Sequence, residues 1–528
     1  MINQSYQRIV TLMVSWVVAW NLLSRADEVP IELGQGIMAG TITPDSAILQ
    51  TRLTGGTRLV NGDLPGAPGI ARFEYATAAN FTDQKVSHWI KSNPDQDHIV
   101  KARIRNLRPN KRYYYRVRYG SDQDRKNYSS KAYANWLPKP ESMCTSQSGT
   151  FRTLAGAEIG TRYRFVITTG WNYHFYMHGY YANKEFPAYK GTDKMLGYPA
   201  LASIAKLNAD FFVSLGDTVY YDHPGEFSVP TLKDQPLGGW SGRAKSPTEM
   251  RRKYHEQFVM PRWQQLFQRV GTYWLVDDHD YRFDDSDPTM FAARYRGGDG
   301  RPSHQTGVRL FHEQLPVTDP LDPAEVTYRT LRVTKDLQIW FVEGRFYRSP
   351  NLMEDGPEKT MWGWRQRAWL KDTLRKSTAS FKVIFHPTAL IGPTYSRKID
   401  NHVAGFRYER DTFFQWLADE QLTREVVFIV GDHHWKYHAR HLPTGLEEFC
   451  CGSPVLANSG GGELALPGDP GMTDSPNEIA HLFHPREPYA GFLMLTVIPA
   501  EGTAKAKLSI SFRGQKGDPV YNFNRMEP

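Results

Sequence analysis

Three apolar runs in this chain end abruptly in carboxylates, and that repeated junction constrains the fold more than any other feature. Phe211–Asp222 reads FFVSLGDTVYYD, Trp274–Asp285 reads WLVDDHDYRFDD and Val430–His438 reads VGDHHWKYH. Each begins as a short buried β-strand and spills into a loop carrying Asp, with His in two of the three. An open α/β sheet places its chemistry there, at the carboxyl ends of its strands. Hard oxygen donors and imidazoles on three strand ends are the donor set of a two-metal hydrolytic centre.

Each junction also has a plain structural reading. Gly216-Asp217 alone reads most simply as a turn. In the functional reading Gly216 lets the backbone turn sharply and Asp217 bridges cations, with Tyr220 and Asp222 in reach. Asp277-Asp278-His279-Asp280 could be an acidic surface loop. Yet these carboxylates would repel one another without a cation, and an apolar strand precedes them. Asp278 is then the natural metal ligand and His279 a general acid toward a leaving alkoxide. Asp280, Asp284 or Asp285 would hold the imidazole or take an outer role. Asp432 and His434 have the i, i+2 spacing that turns two side chains of an extended segment to one metal, with His433 pointing away. His438 and His441 add imidazoles nearby. His386, Asn401 and His402 read more simply as satisfied, half-buried groups. Arg345 and Arg348 either clamp an anionic oxygen or pair with Glu343 or Asp355.

A length of 528 residues implies more than one domain. The formal net charge of +8 is mild for that length, and no long Lys/Arg block or nucleic-acid module pattern is present. Neither a Gly-x-Ser-x-Gly elbow nor a Walker-type loop occurs, which disfavours a serine hydrolase and a P-loop NTPase. Arg8, the apolar run Ile9–Leu23 and Ser24-Arg25-Ala26 form a secretory signal pattern over residues 1–26, cleaved after Ala26. An uncleaved membrane anchor is the alternative, and no later run is long enough to span a bilayer. The expected location is secreted or periplasmic. Cys144, Cys450 and Cys451 are too few for a disulfide scaffold, and buried thiols are the simpler reading.

Residues 34–155 read as a small β-sandwich, from strand patterns at Ser46–Leu53, Ala71–Ala76, His98–Ile104 and Arg112–Tyr119 separated by turn signals. Residues 160–528 alternate helices and apolar strands, the mark of α/β layering. Helices are expected at Tyr198–Leu207, Pro247–Arg269 and Gly363–Lys376. Strands are expected at Tyr163–Thr168, Asp210–Leu215, Thr272–Val276, Leu337–Val342, Lys382–Phe385 and Val426–Val430. Gly491–Ile498 and Ala506–Phe512 suggest a mixed sheet closing this region, and Asn458–Ser475 a long Gly/Pro-rich loop.

Together these residues resemble the PhoD-like alkaline phosphatase/phosphodiesterase family of the calcineurin-like metallophosphoesterase superfamily. Gly216-Asp217-Thr218-Val219-Tyr220, Asp277-Asp278-His279-Asp280 and Gly431-Asp432-His433-His434 match its three motifs in order. EGRFYRSP, KTMWGWRQRAWL and TGLEEFCCGS resemble its framework segments, and ITPDSAILQTRL the start of its N-terminal β-sandwich. The resemblance implies an α/β fold: a four-layer α/β/β/α sandwich preceded by a small all-β, fibronectin/Ig-like domain. It implies a secreted hydrolase of small phosphate esters, monoester or diester, holding divalent or trivalent metal ions, iron and calcium. Asp217 would bridge the metals and Tyr220 would be a phenolate ligand to iron. Asp278, Asp432 and His434 would complete the metal shells. His279 would be the acid near the leaving group; Asp280 and Arg345 join it as catalytic candidates from the residue reading above. The family's Cys ligand, in a Ser-Cys step after the first catalytic strand, is missing: Trp171 or Gly170 stands there, with His174 and His178 in the following loop. Asp284 stands where the family has Asn. These departures leave open a catalytically impaired metal- or anion-binding protein, or a hydrolase of sulfate esters or phosphotriesters.

Overall fold

Two sheets packed face to face organise the chain. The structure, a computed structural model, describes residues 30–122, 143–226 apart from 182, 183, 186 and 187, 242–290, 301–458 apart from 323 and 396, and 478–528 apart from 486–488. The segment read as a secretory signal and nearly all of the expected Gly/Pro-rich loop lie outside these residues. Among the described residues no helix is long and apolar enough to cross a membrane.

A nine-stranded sheet runs in the order Pro519–Met526, Lys507–Gly514, Gly491–Ile498, Tyr163–Thr168, Phe211–Leu215, Gly271–Leu275, Ile37–Gly40, Ala47–Arg52, Ile99–Ile104. Its middle is parallel, Phe211–Leu215 pairing with both Tyr163–Thr168 and Gly271–Leu275. A seven-stranded sheet runs Arg329–Arg332, Leu337–Phe341, Phe381–His386, Val426–Val430, Glu447–Cys450, Tyr437–His441, Ile479–Phe483, with a parallel centre. The period-two alternation of each strand divides its side chains between two cores. Phe211, Val213 and Leu215 meet Ile339, Phe341, Val383, Phe385, Val427 and Ile429 between the sheets. Phe212 and Trp274 face outward into Tyr254, Trp263 and Leu310, from helices Pro247–Phe258, Pro261–Phe267 and His304–Gln314. On the opposite flank Ile384 and Phe428 meet Leu370, Leu374, Phe413 and Leu417 of helices Gly363–Lys376 and Arg407–Asp419. The result is a four-layer α/β/β/α sandwich.

The N-terminal region is all-β. Ile70–Ala76 and Arg112–Gly120 centre a further antiparallel sheet, joined by Lys85–Val86, Ile90–Lys91, Cys144–Thr145 and Gly149–Arg152. Three strands of the same region, Ile37–Gly40, Ala47–Arg52 and Ile99–Ile104, extend the nine-stranded sheet instead. Ile37–Gly40 does so by pairing parallel to Gly271–Leu275.

Two expectations change. The single helix over Pro247–Arg269 is two, Pro247–Phe258 and Pro261–Phe267, because Met260 is extended before Pro261 and proline has no N–H to continue the ladder. The first of them is fixed at its start by a Ser246/Glu249 capping box. Helices His304–Gln314 and Arg407–Asp419 and the strand Pro519–Met526 had no counterpart in the sequence reading. The second change is at the cysteines, expected as buried thiols: none is in a disulfide and Cys450 and Cys451 are buried, but Cys144 is exposed.

Candidate metal and active site

The loops leaving both parallel centres meet at one end of the sandwich. A Cβ on Gly431 would lie 3.0 Å from the Thr169 hydroxyl and 3.1 Å from the Leu215 Cβ, so the two sheets' strand ends are in contact there. Gly216 has φ +99°, and a Cβ on it would fall 2.4 Å from the Asp277 Cβ. Only glycine lets the first two acidic loops approach this closely. The aspartates that follow these glycines share a conformation unusual for side-chain-bearing residues, φ 54° at Asp217 and 59° at Asp432.

Two neighbouring groups of donors result. In the first, Asp217 Oδ2 accepts the Tyr220 hydroxyl at 3.0 Å and lies 3.0 Å from His434 Nε2, which is itself 3.1 Å from the Tyr220 oxygen. In the second, ligand atoms of Asp277, Asp278 and Asp432 lie within 4.8 Å of one another. Asp217, Asp278 and His279 form a similar group between them. Asp217 Oδ1, Asp277 Oδ2 and Asp432 Oδ2 are buried and have no hydrogen-bond partner among the described residues. Leaving ionised oxygens so is strongly unfavourable in a protein interior, and a bound cation removes the difficulty. The donor set therefore fits metal ions. Burial, with the repulsion of neighbouring carboxylates, holds Asp277 and Asp432 well above the usual carboxylate range. Asp278 is lowered: burial raises it, but His279, Arg345 and Lys398 outweigh burial.

His279 is held by a residue the sequence reading placed only near the pocket. Its Nδ1 lies 2.8 and 2.9 Å from the two Asp222 oxygens. A carboxylate accepts, so Nδ1 carries a proton and Nε2 is left on the side of the exposed Asp284, 3.8 Å away. The ring also lies against Tyr220, centroids 4.3 Å apart. Burial alone would lower the imidazole, but Asp222, Asp278 and Asp217 together raise it well above the ordinary value. Asp280, expected beside the imidazole, faces the other way. Its oxygens accept the backbone N–H of Thr218 at 3.0 Å and of Asp277 at 2.7 Å, clamping two loops together. Burial and the nearby Asp217 push it up to about 8.

Arg345 is likewise turned from the open side. Fully buried, it donates through Nε to Asp277 at 2.6 Å and through a terminal nitrogen to Asp400 at 2.8 Å. Glu343 accepts its backbone N–H at 2.6 Å. The expected anion clamp is a buried fork binding the second carboxylate group from behind. Arg348 donates to the carbonyls of Gly344 and Asp400. His433 points away from the site, to the Thr394 hydroxyl at 2.8 Å.

Trp171 and Gly170, where the family resemblance implies a cysteine, offer no metal-binding side chain to the site. Its indole enters the outer core against Tyr198, Trp263 and Phe212, and its Nε1 donates to Thr168 at 2.9 Å. The neighbouring Gly170 has no side chain, and its carbonyl accepts the Ser453 hydroxyl at 2.7 Å. His178 lies 2.9 Å from Glu226. The remaining histidine candidates are structural. His386 accepts the Trp362 indole N–H at 3.0 Å, so its other nitrogen donates to the Thr388 carbonyl at 2.7 Å. His402 meets Glu409 at 3.2 Å, and Asn401 accepts the N–H groups of Val403 and Ala404. His438 and His441 contact Tyr521 and Thr444. Lys398 and Asp400, which the sequence reading did not single out, stand at the centre of the cluster. They follow no apolar strand, so the pattern that exposed the other aspartates passes over them.

The same assembly is found in known proteins. The sequence model described as PhoD-like phosphatase matches residues 180–499, and that of the PhoD-like phosphatase N-terminal domain matches residues 19–132. Alkaline phosphatase D of Bacillus subtilis (strain 168) is 21% identical over 502 residues, covering 89% of this chain and 76% of the relative. A solved structure of PhoD superposes with a TM-score of 0.67 at 19% identity, covering 95% of this chain and 91% of that one. The purple acid phosphatase PPD1 of yellow lupin (Lupinus luteus) seeds gives a TM-score of 0.52 at 11% identity, covering 94% and 73%. With three acidic loops whose Asp and His groups could hold metal, the chain belongs to the PhoD-like phosphatases and is a metal-dependent phosphoester hydrolase.

Proposed function

We propose that the chain hydrolyses small phosphate esters, monoesters or diesters, at a metal centre held by Asp217, Tyr220, Asp278, Asp432 and His434, with Asp277 as an added oxygen donor. The observation that carries this reading is that Asp217, Asp277 and Asp432 each keep a buried carboxylate oxygen with no hydrogen-bond partner among the described residues. Bound cations supply an activated water and neutralise charge developing on the phosphoryl oxygens. The chain's own groups do the rest. His279, its Nδ1 proton fixed by Asp222, keeps Nε2 on the side of the exposed Asp284 to give a proton to the departing alkoxide. Tyr220, between the His279 and His434 rings, orders that wall of the site. Arg345 and Asp280 position the carboxylates from behind.

Carboxylate, phenol and imidazole donors suit hard cations, and iron with calcium is the pair the family resemblance implies. Residues 34–155 are read as the N-terminal β-sandwich domain and 160–528 as the catalytic domain, with residues 1–26 a signal for secretion. Trp171 in place of a thiolate ligand supports the second reading, a protein that binds metal or an anion without turnover.

Hydrolysis of p-nitrophenyl phosphate and bis-p-nitrophenyl phosphate by chelated protein resupplied with iron, calcium, zinc or manganese decides between the two. Metal-restored turnover that His279→Ala removes supports the enzyme. Retained metal with no turnover on either ester supports the binding protein.

A further inference from the structure

The carboxylate cluster contains a cation of its own. Lys398 Nζ lies 2.7 Å from Asp285 Oδ1, 3.0 Å from Asp432 Oδ1 and 3.6 Å from Asp400 Oδ1. Two of these oxygens belong to loops at the ends of different sheets, Asp285 beyond Gly271–Leu275 and Asp432 beyond Val426–Val430. An ammonium is a compact point charge with three donors, and three carboxylates converge on it. Asp432 divides its oxygens: Oδ1 meets the ammonium, while Oδ2 is buried without a partner among the described residues, in the group with Asp277 and Asp278. Asp400 is held from the far side by Arg345 at 2.8 Å. Two adjacent places for positive charge therefore share Asp432. One is open to a metal ion, and the other holds the lysine.

Building on the metal-centre reading above, we propose that Lys398 is a built-in cation that takes the place of one metal ion among Asp285, Asp400 and Asp432. The centre then binds one divalent cation fewer than its carboxylates would otherwise hold. The lysine keeps Asp432 oriented with one oxygen toward the remaining metal whether or not that metal is loaded. It also fixes the charge of that corner, because a covalently tethered ammonium cannot be chelated or exchanged.

The test is stoichiometric. The full chain is stripped with chelator and titrated with Mn2+ by equilibrium dialysis, the metal being counted by mass spectrometry and folding checked by circular dichroism. Lys398→Gln is expected to bind one Mn2+ per chain more than the unsubstituted protein, and Lys398→Arg the same number as it. Equal or lower binding by folded Lys398→Gln overturns the proposal. If Lys398→Gln does not fold, Asp285→Asn replaces it. On this assignment Asp285 holds the lysine rather than a metal ion, so that variant should keep the original Mn2+ count, and losing one Mn2+ overturns the assignment. An unsubstituted chain that takes up no Mn2+ while Lys398→Gln takes up one sinks the metal-centre reading and supports the lysine. No uptake by either folded protein sinks both.

Discussion

Asp222 grips His279 with both carboxylate oxygens, 2.8 and 2.9 Å from Nδ1, across the gap between two strand-end loops. This contact fixes which imidazole nitrogen is free. His279→Gln should lower turnover about 10²–10⁴-fold, the range for loss of a positioned acid. The loss should be steeper for alkyl phosphates than for p-nitrophenyl phosphate, whose leaving group departs as a stable phenolate. Asp222→Asn should move in the same direction by a smaller factor, since the amide oxygen can still accept from Nδ1 but no longer supplies the charge that stabilises the imidazolium. Rates across leaving groups of graded basicity check both variants. Equal losses for all esters would show that His279 does not protonate the leaving oxygen.

Arg345 makes a different prediction. Its guanidinium joins Asp277 to Asp400 with no exposure to solvent. Arg345→Met leaves two buried carboxylates without their shared cation, a loss on the order of 3–5 kcal/mol for breaking a buried pair. The variant should melt earlier and express poorly, with recovery when divalent metal is added to offset the charge. Thermal unfolding with and without Mn2+ measures this, and an unchanged melting temperature would show the fork to be dispensable.

Trp171 invites the opposite experiment, placing a cysteine where the family resemblance implies one. Trp171→Cys should not create a metal ligand, because the side chain at this position points into the core against Tyr198 and Trp263. It should instead open a cavity, with destabilisation of about 3–5 kcal/mol by analogy with other buried aromatic truncations. Metal content and visible absorption after iron loading should match the parent, while the melting temperature falls. A new thiolate-to-iron band would show that the loop rearranges to present the thiol.

Acid should loosen the contact between the sheets at a known carboxylate. Glu447, in the seven-stranded sheet, pairs with Arg440 at 2.8 Å and with Arg525 from the nine-stranded sheet. Burial raises its carboxyl, but His438, Arg440 and Arg525 outweigh burial and bring it down to about 2. A depressed carboxylate stabilises the fold above its unfolded-chain value of about 4.3 and loses that contribution as pH falls toward 2. Glu447→Gln should therefore be less stable than the parent at pH 7, the gap closing below about pH 3. Melting curves across that range would contradict the pairing if the gap were independent of pH.

Much of this was legible from residue order, and the reasons are physical. Phe211–Leu215, Gly271–Leu275 and Val426–Val430 are buried on both faces, so they read as unbroken apolar runs, and a strand's carboxyl end fixes where the next loop must emerge. Asp217, Asp278, Asp432 and His434 could be picked out because they sit at such ends. The partners of these residues were not legible in the same way. Asp222 meets His279 across 57 residues and Lys398 meets Asp285 across 113, distances set by how the sheets pack and not by any local pattern. Asp280 and Arg345 were singled out for their charge, yet their directions are tertiary facts. Asp280 turns back to clamp Thr218 and Asp277, and Arg345 lies behind the cluster.

The parallel pairing of Ile37–Gly40 with Gly271–Leu275 also sets a schedule for the growing chain. Once made, the early strand must wait for a neighbour synthesised roughly 230 residues later, on the order of 10–50 s at ordinary elongation rates. During that interval the hairpin Ile37–Arg52 presents an open edge able to pair with any passing strand. A ribosome that stalls between the two halves would therefore release a fragment prone to aggregate, and complete synthesis is what closes the edge.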